Sequence, residues 1–142
     1  MNKNGDIIVI EDDEDDRQLL IDLFEEITTE NNYDNRLVII DDSTTAYKFL
    51  KSEECDPFII LSDINMPKMD GFTLRNLIFS DEELKERSIP FIFLTTLANN
   101  EKYIKEAYQM SIQGFFSKPK DYKEYKTMLA SILSYWKQGL TP

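Results

Sequence analysis

Residues 58–63, FIILSD, decide the fold, because a run of large apolar side chains ends there on a carboxylate. A short apolar run of this kind, bounded by turn formers, is typical of a strand that is buried on both faces. The segment that follows, INMPKMDG at residues 64–71, is rich in residues that favour turns. An acid at the end of a buried strand is costly unless its charge is compensated, so Asp63 either caps a turn or takes part in chemistry.

The same pattern of an apolar strand followed by a helix recurs along the chain. Each strand precedes apolar residues spaced three or four positions apart, which is typical of an amphipathic helix. The predicted strands are IIVI at 7–10, LVII at 37–40, FIIL at 58–61, FIFL at 91–94 and GFFS at 114–117. Five strand–helix units with wholly apolar strands predict an α/β fold, in which a five-stranded parallel sheet carries helices on both faces.

Local signals predict where the second helix begins and where the last helix ends. The second helix is expected to begin with Ser43 or Thr44 as its cap, and the acids Asp41 and Asp42 are also expected to cap it. Gly139 is expected to end the last helix, because glycine often follows the final helical turn.

Length and composition favour one globular domain in a reducing compartment. The chain has 142 residues, of which 42% are hydrophobic and 12% aromatic, enough to bury a core. No apolar run approaches the roughly 20 residues of a membrane span, and the first residues lack the pattern of a secretory signal. A single cysteine, Cys55, makes no internal disulfide. We therefore expect a cytoplasmic protein with one domain over residues 1–142.

Net charge and the absence of histidine exclude several functions. With 16 basic and 27 acidic residues, the net charge of -11 repels nucleic-acid backbones and membrane surfaces. A chain without histidine has no Ser-His-Asp or Cys-His catalysis, and its single cysteine leaves no His/Cys zinc site. Any chemistry must therefore use carboxylates, hydroxyls, lysine or a hard metal ion.

Polar side chains follow all five predicted strands, but Asp41 and Asp42 after the second are expected to cap a helix, which leaves four strand ends with candidate reactive groups. In an open parallel sheet, ligands bind outside the carboxyl ends of the strands, so these positions are candidates for a site. The residues concerned are Glu11, Asp12 and Asp13 after the first strand, Asp63 after the third, Thr95 and Thr96 after the fourth, and Lys118 after the fifth. No glycine-rich loop follows any strand, so nucleotide binding of the Rossmann or P-loop kind is not supported.

Four motifs give the chain a resemblance to a known family. VIEDDEDD, ILSDINMPKMDG, PFIFLTT and FFSKPKD occur in an order and spacing that resemble the receiver domain of bacterial two-component response regulators. The resemblance covers nearly the whole chain, and, as in the single-domain chemotaxis receivers, no output domain is expected. It implies a flavodoxin-like sheet with strand order 2-1-3-4-5 and a single receiver domain over residues 1–142.

The resemblance implies a role for each residue at the strand ends. Asp63 occupies the phosphorylated position, and Thr95 and Lys118 occupy the positions that bind the phosphoryl group. The implied cofactor is Mg²⁺, and its implied ligands are Glu11 through water, Asp12 directly, Asp63, and the backbone carbonyl of Asn65.

Further expectations concern residues beside these positions. The resemblance implies a cis bond between Lys118 and Pro119. Asp13, Asp15 and Asp16 are expected to be surface acids that open the first helix. The apolar Leu97, two residues after the phosphoryl-binding threonine, predicts a long-lived phosphoryl group.

The residue types suit phosphoryl transfer. Three carboxylates repel one another unless a hard divalent cation lies between them, and oxygen ligands suit Mg²⁺. An ordinary aspartate is ionised at neutral pH, so Asp63 attacks phosphorus without a general base and forms an acyl phosphate. Lys118 and Thr95 stabilise the charge that arrives with the phosphoryl group.

A chain without histidine is a recipient of phosphate and not a phosphohistidine donor. The implied partner is a sensor histidine kinase or a histidine phosphotransfer protein, and the sequence does not identify the downstream protein. Signalling is expected to follow if Thr95 moves toward the phosphoryl group and Phe115 repacks. The repacking of Phe115 is expected to change the face formed by the helix after the fourth strand, the fifth strand and the last helix.

The aromatic residues of the last helix allow two interpretations. They either pack into the core or form a homodimer contact through that face. The residues are Tyr122, Tyr125, Tyr135 and Trp136.

Two other functions are left open by the sequence. One is a receiver-shaped interaction module that works without phosphorylation. The other is a magnesium-dependent phosphatase with an aspartate nucleophile, which needs a second acid two residues later, where this chain has Asn65.

Overall fold

The computed structural model describes residues 2–96 and 100–142. Its strands are β1 Asp6–Ile10, β2 Leu37–Ile40, β3 Pro57–Ser62, β4 Phe91–Thr95 and β5 Gly114–Ser117. They form one parallel sheet in the order β2-β1-β3-β4-β5. The predicted fold class and strand order are therefore confirmed.

Helices lie on both faces of the sheet. They are α1 Glu14–Asn31, α2 Ala46–Lys51, α3 Gly71–Ser80, α4 Glu82–Glu86, α5 Glu101–Gln109 and α6 Tyr122–Gln138. Before all of these except α2, an Asp or Asn side chain accepts a hydrogen bond from a backbone N–H of the first turn. The last helix ends at Gly139, as predicted. Over the described residues, none of the helices combines the length and apolarity needed to cross a bilayer.

The chain enters its second helix differently from the prediction. A 3₁₀ turn comes first, in which the Asp42 carboxylate accepts a hydrogen bond from the Thr44 N–H at 3.0 Å. The Ser43 hydroxyl instead donates to the Met69 carbonyl at 2.6 Å. Capping by Asp42 is therefore confirmed at this 3₁₀ turn, whereas capping by Asp41, Ser43 or Thr44 is wrong. The physical reason is that a carboxylate is a stronger acceptor than a hydroxyl.

Apolar side chains of the strands alternate between two cores. In β1, Ile8 and Ile10 face the core covered by α2, α3 and α5, whereas Ile7 and Val9 face the core covered by α1 and α6. All four side chains are at most 1% exposed. Each burial contributes roughly 1.5–3 kcal/mol, which fixes the register of the central strands.

The loops after β1 and β3 leave the sheet on opposite sides. The two strands are neighbours, yet α1 packs on one face and α3 on the other. This divergence opens a crevice at the carboxyl ends of the strands, the place where ligands bind in sheets of this kind.

Gly71 allows the start of α3 to approach the loop after β3. Its N–H donates to the Ile64 carbonyl at 2.7 Å. A Cβ at this position would lie 2.4 Å from the Asp63 carbonyl oxygen and 2.8 Å from Ile64 Cα. The close approach therefore requires glycine.

We expect Gly71→Ala to lower the free energy of unfolding by about 1–3 kcal/mol, because the added methyl group must displace neighbouring backbone. Urea unfolding followed by circular dichroism measures this change. The matched control is Gly139→Ala, where the atom nearest to the added Cβ, the Tyr135 carbonyl oxygen, is 3.3 Å away. Equal losses in the two variants would contradict this account of the loop.

Candidate functional site

Three carboxylates meet at the carboxyl ends of β1 and β3. Glu11 and Asp12 follow β1, and Asp63 follows β3. One carboxylate oxygen from each residue lies within 4.8 Å of the others. The neighbouring strands bring them together because Ile10 pairs with Ser62 at the ends of the two strands. The structure thus places the three predicted acids in one cluster.

Backbone hydrogen bonds orient these acids. The Asp63 N–H donates to the Ile10 carbonyl at 3.1 Å, and the Ile64 N–H donates to Asp63 Oδ1 at 2.7 Å. Arg17 Nη1 donates to the Asp12 carbonyl at 2.5 Å and holds the loop that leads into α1. The Ile64 N–H compensates part of the charge of the Asp63 carboxylate, and Asp63 Oδ2 is left to interact with the cluster.

Lys118 provides the positive charge of the cluster. Its Nζ donates to Glu11 Oε1, to Asp16 Oδ2 at 3.0 Å and to Asp63 Oδ2 at 3.1 Å. The side chain is only 7% exposed. The Lys118 N–H donates to the Thr95 carbonyl at 3.0 Å, which extends the pairing of β4 with β5 up to the site. The predicted lysine therefore lies beside the predicted phosphoacceptor.

The Lys118–Pro119 bond is trans, so the prediction of a cis bond is wrong. Every peptide bond of the described residues is trans. The trans isomer is favoured by about 0.5–1 kcal/mol for a bond before proline. Lys118 reaches the carboxylates from this trans backbone, so the contact does not require the cis isomer.

Asp16 belongs to the cluster, although the sequence predicted only a surface role for it. Its carboxylate accepts the hydrogen bond from Lys118, and its side chain is 39% exposed. Asp16 lies in the first turn of α1, four residues after Asp12. Asp12 precedes Asp13, the cap of α1, and lies outside the helix, so this spacing is not a helix-face signal and does not identify Asp16. Asp13, in contrast, caps α1 as expected.

Burial of the cluster shifts two pKa values. Desolvation raises the pKa of Glu11 to about 7, and the charge of Asp63 adds to the rise while Lys118 opposes it. Burial acts to lower the pKa of Lys118, but the hydrogen bond to Glu11 and the charges of Asp63 and Glu11 outweigh it and raise that pKa. The ammonium therefore stays charged at neutral pH.

Thr95 and Phe115 lie on the same face of the sheet. Thr95 ends β4 and is fully buried. Phe115 pairs with Phe93, two residues before Thr95, and the two rings pack edge to face with centroids 6.1 Å apart. Because alternate residues share a face, Phe115 is a diagonal neighbour of Thr95, and repacking of one side chain affects the other.

The structure leaves the predicted roles of two residues untested. Asn65 is exposed in the loop between Asp63 and α3, and its role as a carbonyl ligand stays a prediction. Leu97, on which the predicted phosphoryl lifetime depends, lies outside the described residues, so that expectation also stays a prediction.

The donor set fits a hard divalent cation. Glu11, Asp12 and Asp63 offer only oxygen ligands, and one carboxylate oxygen from each lies within 4.8 Å of the other two. Together with Asp16 they carry more negative charge than the single ammonium of Lys118 compensates. Oxygen ligands of this kind suit Mg²⁺ or Mn²⁺.

Comparison with known proteins agrees with this geometry. A family model for the response regulator receiver domain matches residues 7–130. The chain is 29% identical over 124 residues to response regulator Rcp1 of Synechocystis sp., covering 84% of this chain and 82% of Rcp1. It is 33% identical over 119 residues to chemotaxis protein CheY-3 of Vibrio cholerae, covering 84% of each protein.

Solved structures show the same similarity. The Mn²⁺-bound form of Rcp1 matches with a TM-score of 0.79 and 29% identity, over 96% of this chain and 97% of that one. The phosphorylated cyanobacterial phytochrome response regulator RcpA matches with a TM-score of 0.80 and 27% identity, over 96% of both chains.

The chain therefore belongs to the response regulator receiver domain family. It is homologous to response regulators such as Rcp1 and CheY-3, and a phosphoacceptor signalling role fits it. The resemblance predicted from the four motifs is confirmed. The family consists of signalling proteins and is not a known enzyme family.

We expect Lys118→Met to lower the free energy of unfolding by about 3 kcal/mol in the presence of a chelator, because it leaves buried carboxylates without their cation. Added Mg²⁺ should stabilise the variant more than the wild type. Urea unfolding with and without Mg²⁺ measures both effects.

The matched control for this substitution is Lys120→Met, at an exposed position two residues later. It should leave stability nearly unchanged. If the two variants lost the same stability, Lys118 would not be the compensating charge of the cluster.

Proposed function

We propose that the chain takes a phosphoryl group from a phosphohistidine of a partner protein onto Asp63 and thereby switches a protein-binding face. The proposal is supported above all by the contact of Asp63 with a buried ammonium and with two further carboxylates. A turn-capping aspartate needs neither kind of neighbour. In this role the chain acts as a phosphoacceptor in the cytoplasm and not as an enzyme.

The transfer step forms one bond and breaks another. A carboxylate oxygen of Asp63 bonds to phosphorus while the P–N bond to the donor imidazole breaks, and the electron pair of that bond stays on the nitrogen. Both oxygens of Asp63 are oriented, because Oδ1 accepts the Ile64 N–H and Oδ2 lies 3.1 Å from Lys118 Nζ. A nucleophile held in one orientation loses less entropy on reaching the transition state.

The acid cluster is proposed to hold Mg²⁺. Asp12, Asp63 and the backbone carbonyl of Asn65 would be direct ligands, and Glu11 would act through water. When bound, the ion neutralises charge on the transferring phosphoryl group. The Mn²⁺-bound form of the relative Rcp1 supports this assignment.

Lys118 and Thr95 are proposed to bind the phosphoryl oxygens. The ammonium already contacts Asp63, so a phosphoryl group there gives it a further anionic acceptor. A hydrogen bond from the Thr95 hydroxyl would draw that side chain toward the site, and Phe115 would repack behind it. Because α5 and α6 follow β4 and β5, this rearrangement would alter the surface that α5, β5 and α6 present to a target.

The phosphodonor is proposed to be a sensor histidine kinase or a histidine phosphotransfer protein. Receiver domains in general interact with histidine kinases and with downstream targets. This chain has no histidine of its own, so the donor imidazole must come from a partner. With a net charge of -11, a protein target is favoured over nucleic acid or a membrane surface.

A homodimer contact through α6 is a further part of the proposal. Tyr125 is 2% exposed and belongs to the core, whereas Tyr135 is 67% exposed. The Tyr135 ring packs edge to face against Trp136, with centroids 5.0 Å apart. Tyr125 thus belongs to the core, whereas Tyr135 and Tyr122, which is 42% exposed, would be available for the proposed contact with a second copy.

The proposed phosphorylation is tested by incubating the protein with acetyl phosphate and Mg²⁺ and measuring its intact mass. Wild type should gain the mass of one phosphoryl group, and Asp63→Asn should gain none, because the amide is not a nucleophile toward phosphorus. The matched control is Asp41→Asn, since Asp41 also follows a strand but is exposed. This variant should be phosphorylated like wild type.

Other outcomes of this experiment would favour the alternatives. No added mass on wild type at saturating Mg²⁺ would favour an interaction module that works without phosphorylation. Steady release of phosphate from many phosphoesters would favour a phosphatase.

A further inference from the structure

A groove at the opposite end of the sheet from the acid cluster has a different chemistry. Its volume is about 400 Å³, and it lies between α3, α4 and the segment after α6. Its floor includes Ile89 and Gln113, which precede β4 and β5, so it opens at the amino ends of those strands. Its size falls within the range of about 300–1,000 Å³ that is typical of sites for small molecules.

Two cations of this groove lie close to the same aromatic ring. The Arg75 guanidinium carbon lies 5.2 Å from the centroid of the Phe79 ring, and Lys85 Nζ lies 4.6 Å from it. Across residues 2–96 and 100–142, neither cation forms an ion pair with a carboxylate. A ring attracts a cation but does not neutralise it, so two like charges remain close together.

Arg75 is a buried charge without a counterion. The residue is 6% exposed, and its guanidinium donates from Nε to the Met110 carbonyl at 3.0 Å and from Nη2 to the Ser111 carbonyl at 2.9 Å. Burial lowers the pKa of Arg75 to about 10. The two carbonyls belong to the turn that follows α5, so part of the role of Arg75 is to hold that turn against α3.

The two hydrogen bonds to these carbonyls use only Nε and Nη2 of the Arg75 guanidinium. Its Nη1 group makes no hydrogen bond to any acceptor in the described part of the chain. Nη1 is not among the fully buried unpaired atoms, so it keeps solvent contact and can donate to an acceptor bound in the groove that Arg75 lines.

The other polar groups of the groove suit the same kind of acceptor. Among the described residues that line it, none is acidic, although the chain as a whole has a net charge of -11. Ser88 and Ser111 contribute hydroxyl groups to the lining, and the Thr141 hydroxyl is buried there without a hydrogen-bond partner in the described residues. Apolar side chains such as Ile78 and Trp136 form the rest of the lining.

We propose that this groove binds a small organic anion that carries a carboxylate on an apolar body. The carboxylate lies between Arg75 and Lys85 and accepts from the guanidinium Nη1 and the ammonium. The apolar body packs against Ile78 and Trp136. Because Arg75 also holds the turn that follows α5, the ligand is linked through this one side chain to the end of a helix of the proposed switching face.

The experiment compares two probes that differ only in charge, 3-phenylpropionate and its neutral amide, in a backbone-amide NMR titration at low salt. The carboxylate should shift the signals of Ser88, Ser111 and Gln113, and the amide should not. Lys85→Gln, at an exposed position, should weaken binding of the carboxylate by about two- to fivefold without unfolding the protein.

The matched control is Lys123→Gln, an exposed lysine of α6 outside the groove, which should bind the carboxylate like wild type. Equal shifts with both probes would overturn the proposal, because the groove would then be merely apolar. Shifts confined to the acid cluster, or the same affinity in Lys85→Gln and wild type, would also overturn it.

Discussion

The ammonium group of Lys118 links the three loops that form the site. It contacts Glu11, Asp16 and Asp63 at once, although its side chain is almost fully buried. Without this cation, the buried carboxylates would repel one another, and the loops after β1, β3 and β5 would separate. One ammonium does not neutralise the whole cluster, so the site retains an attraction for a second, harder cation.

The sheet makes this arrangement possible by placing the charges of the site where its apolar strands end. The central strands are buried on both faces, and their register brings Ile10 beside Ser62. The side chains that follow must therefore meet in the crevice where α1 and α3 diverge. The same logic applies to β4 and β5, whose pairing places Phe115 diagonally beside Thr95. The fold thus connects the site to the surface of α5 and α6 through packed side chains.

The fold and most of the cluster could be predicted because they depend on order along the chain. Short, mostly apolar runs predict the strands, and each predicted polar residue from Glu11, Asp12, Asp63, Thr95 and Lys118 lies within two residues of the end of one of these runs. The contact of Lys118 with Asp16 could not be predicted in this way, because it depends on how α1 is oriented against the end of β5. The isomer of the Lys118–Pro119 bond depends on an energy difference of only about 0.5–1 kcal/mol, too small for a motif to decide.

Helix α3 shows a second limit of periodicity. A helical pattern of apolar residues would bury Leu77, yet that side chain is 38% exposed, whereas Arg75 is 6% exposed. Arg75 is buried because it finds carbonyl acceptors at the end of α5 and two aromatic rings, Phe79 and Phe91. Phe79 is four residues away on the same helix, but Phe91 and the carbonyls of Met110 and Ser111 are distant in sequence, so the burial of this charge becomes visible only in three dimensions.

The most direct test of the central claim is to locate the first bound divalent cation. Substoichiometric Mn²⁺ broadens the backbone-amide NMR signals nearest to its site. The account predicts that signals from residues 11–13 and 63–65 broaden first, and that Asp12→Asn abolishes this effect. Broadening that begins at other acidic segments, such as α4 Glu82–Glu86, or that spreads evenly over the surface would contradict a built cation site beside Lys118.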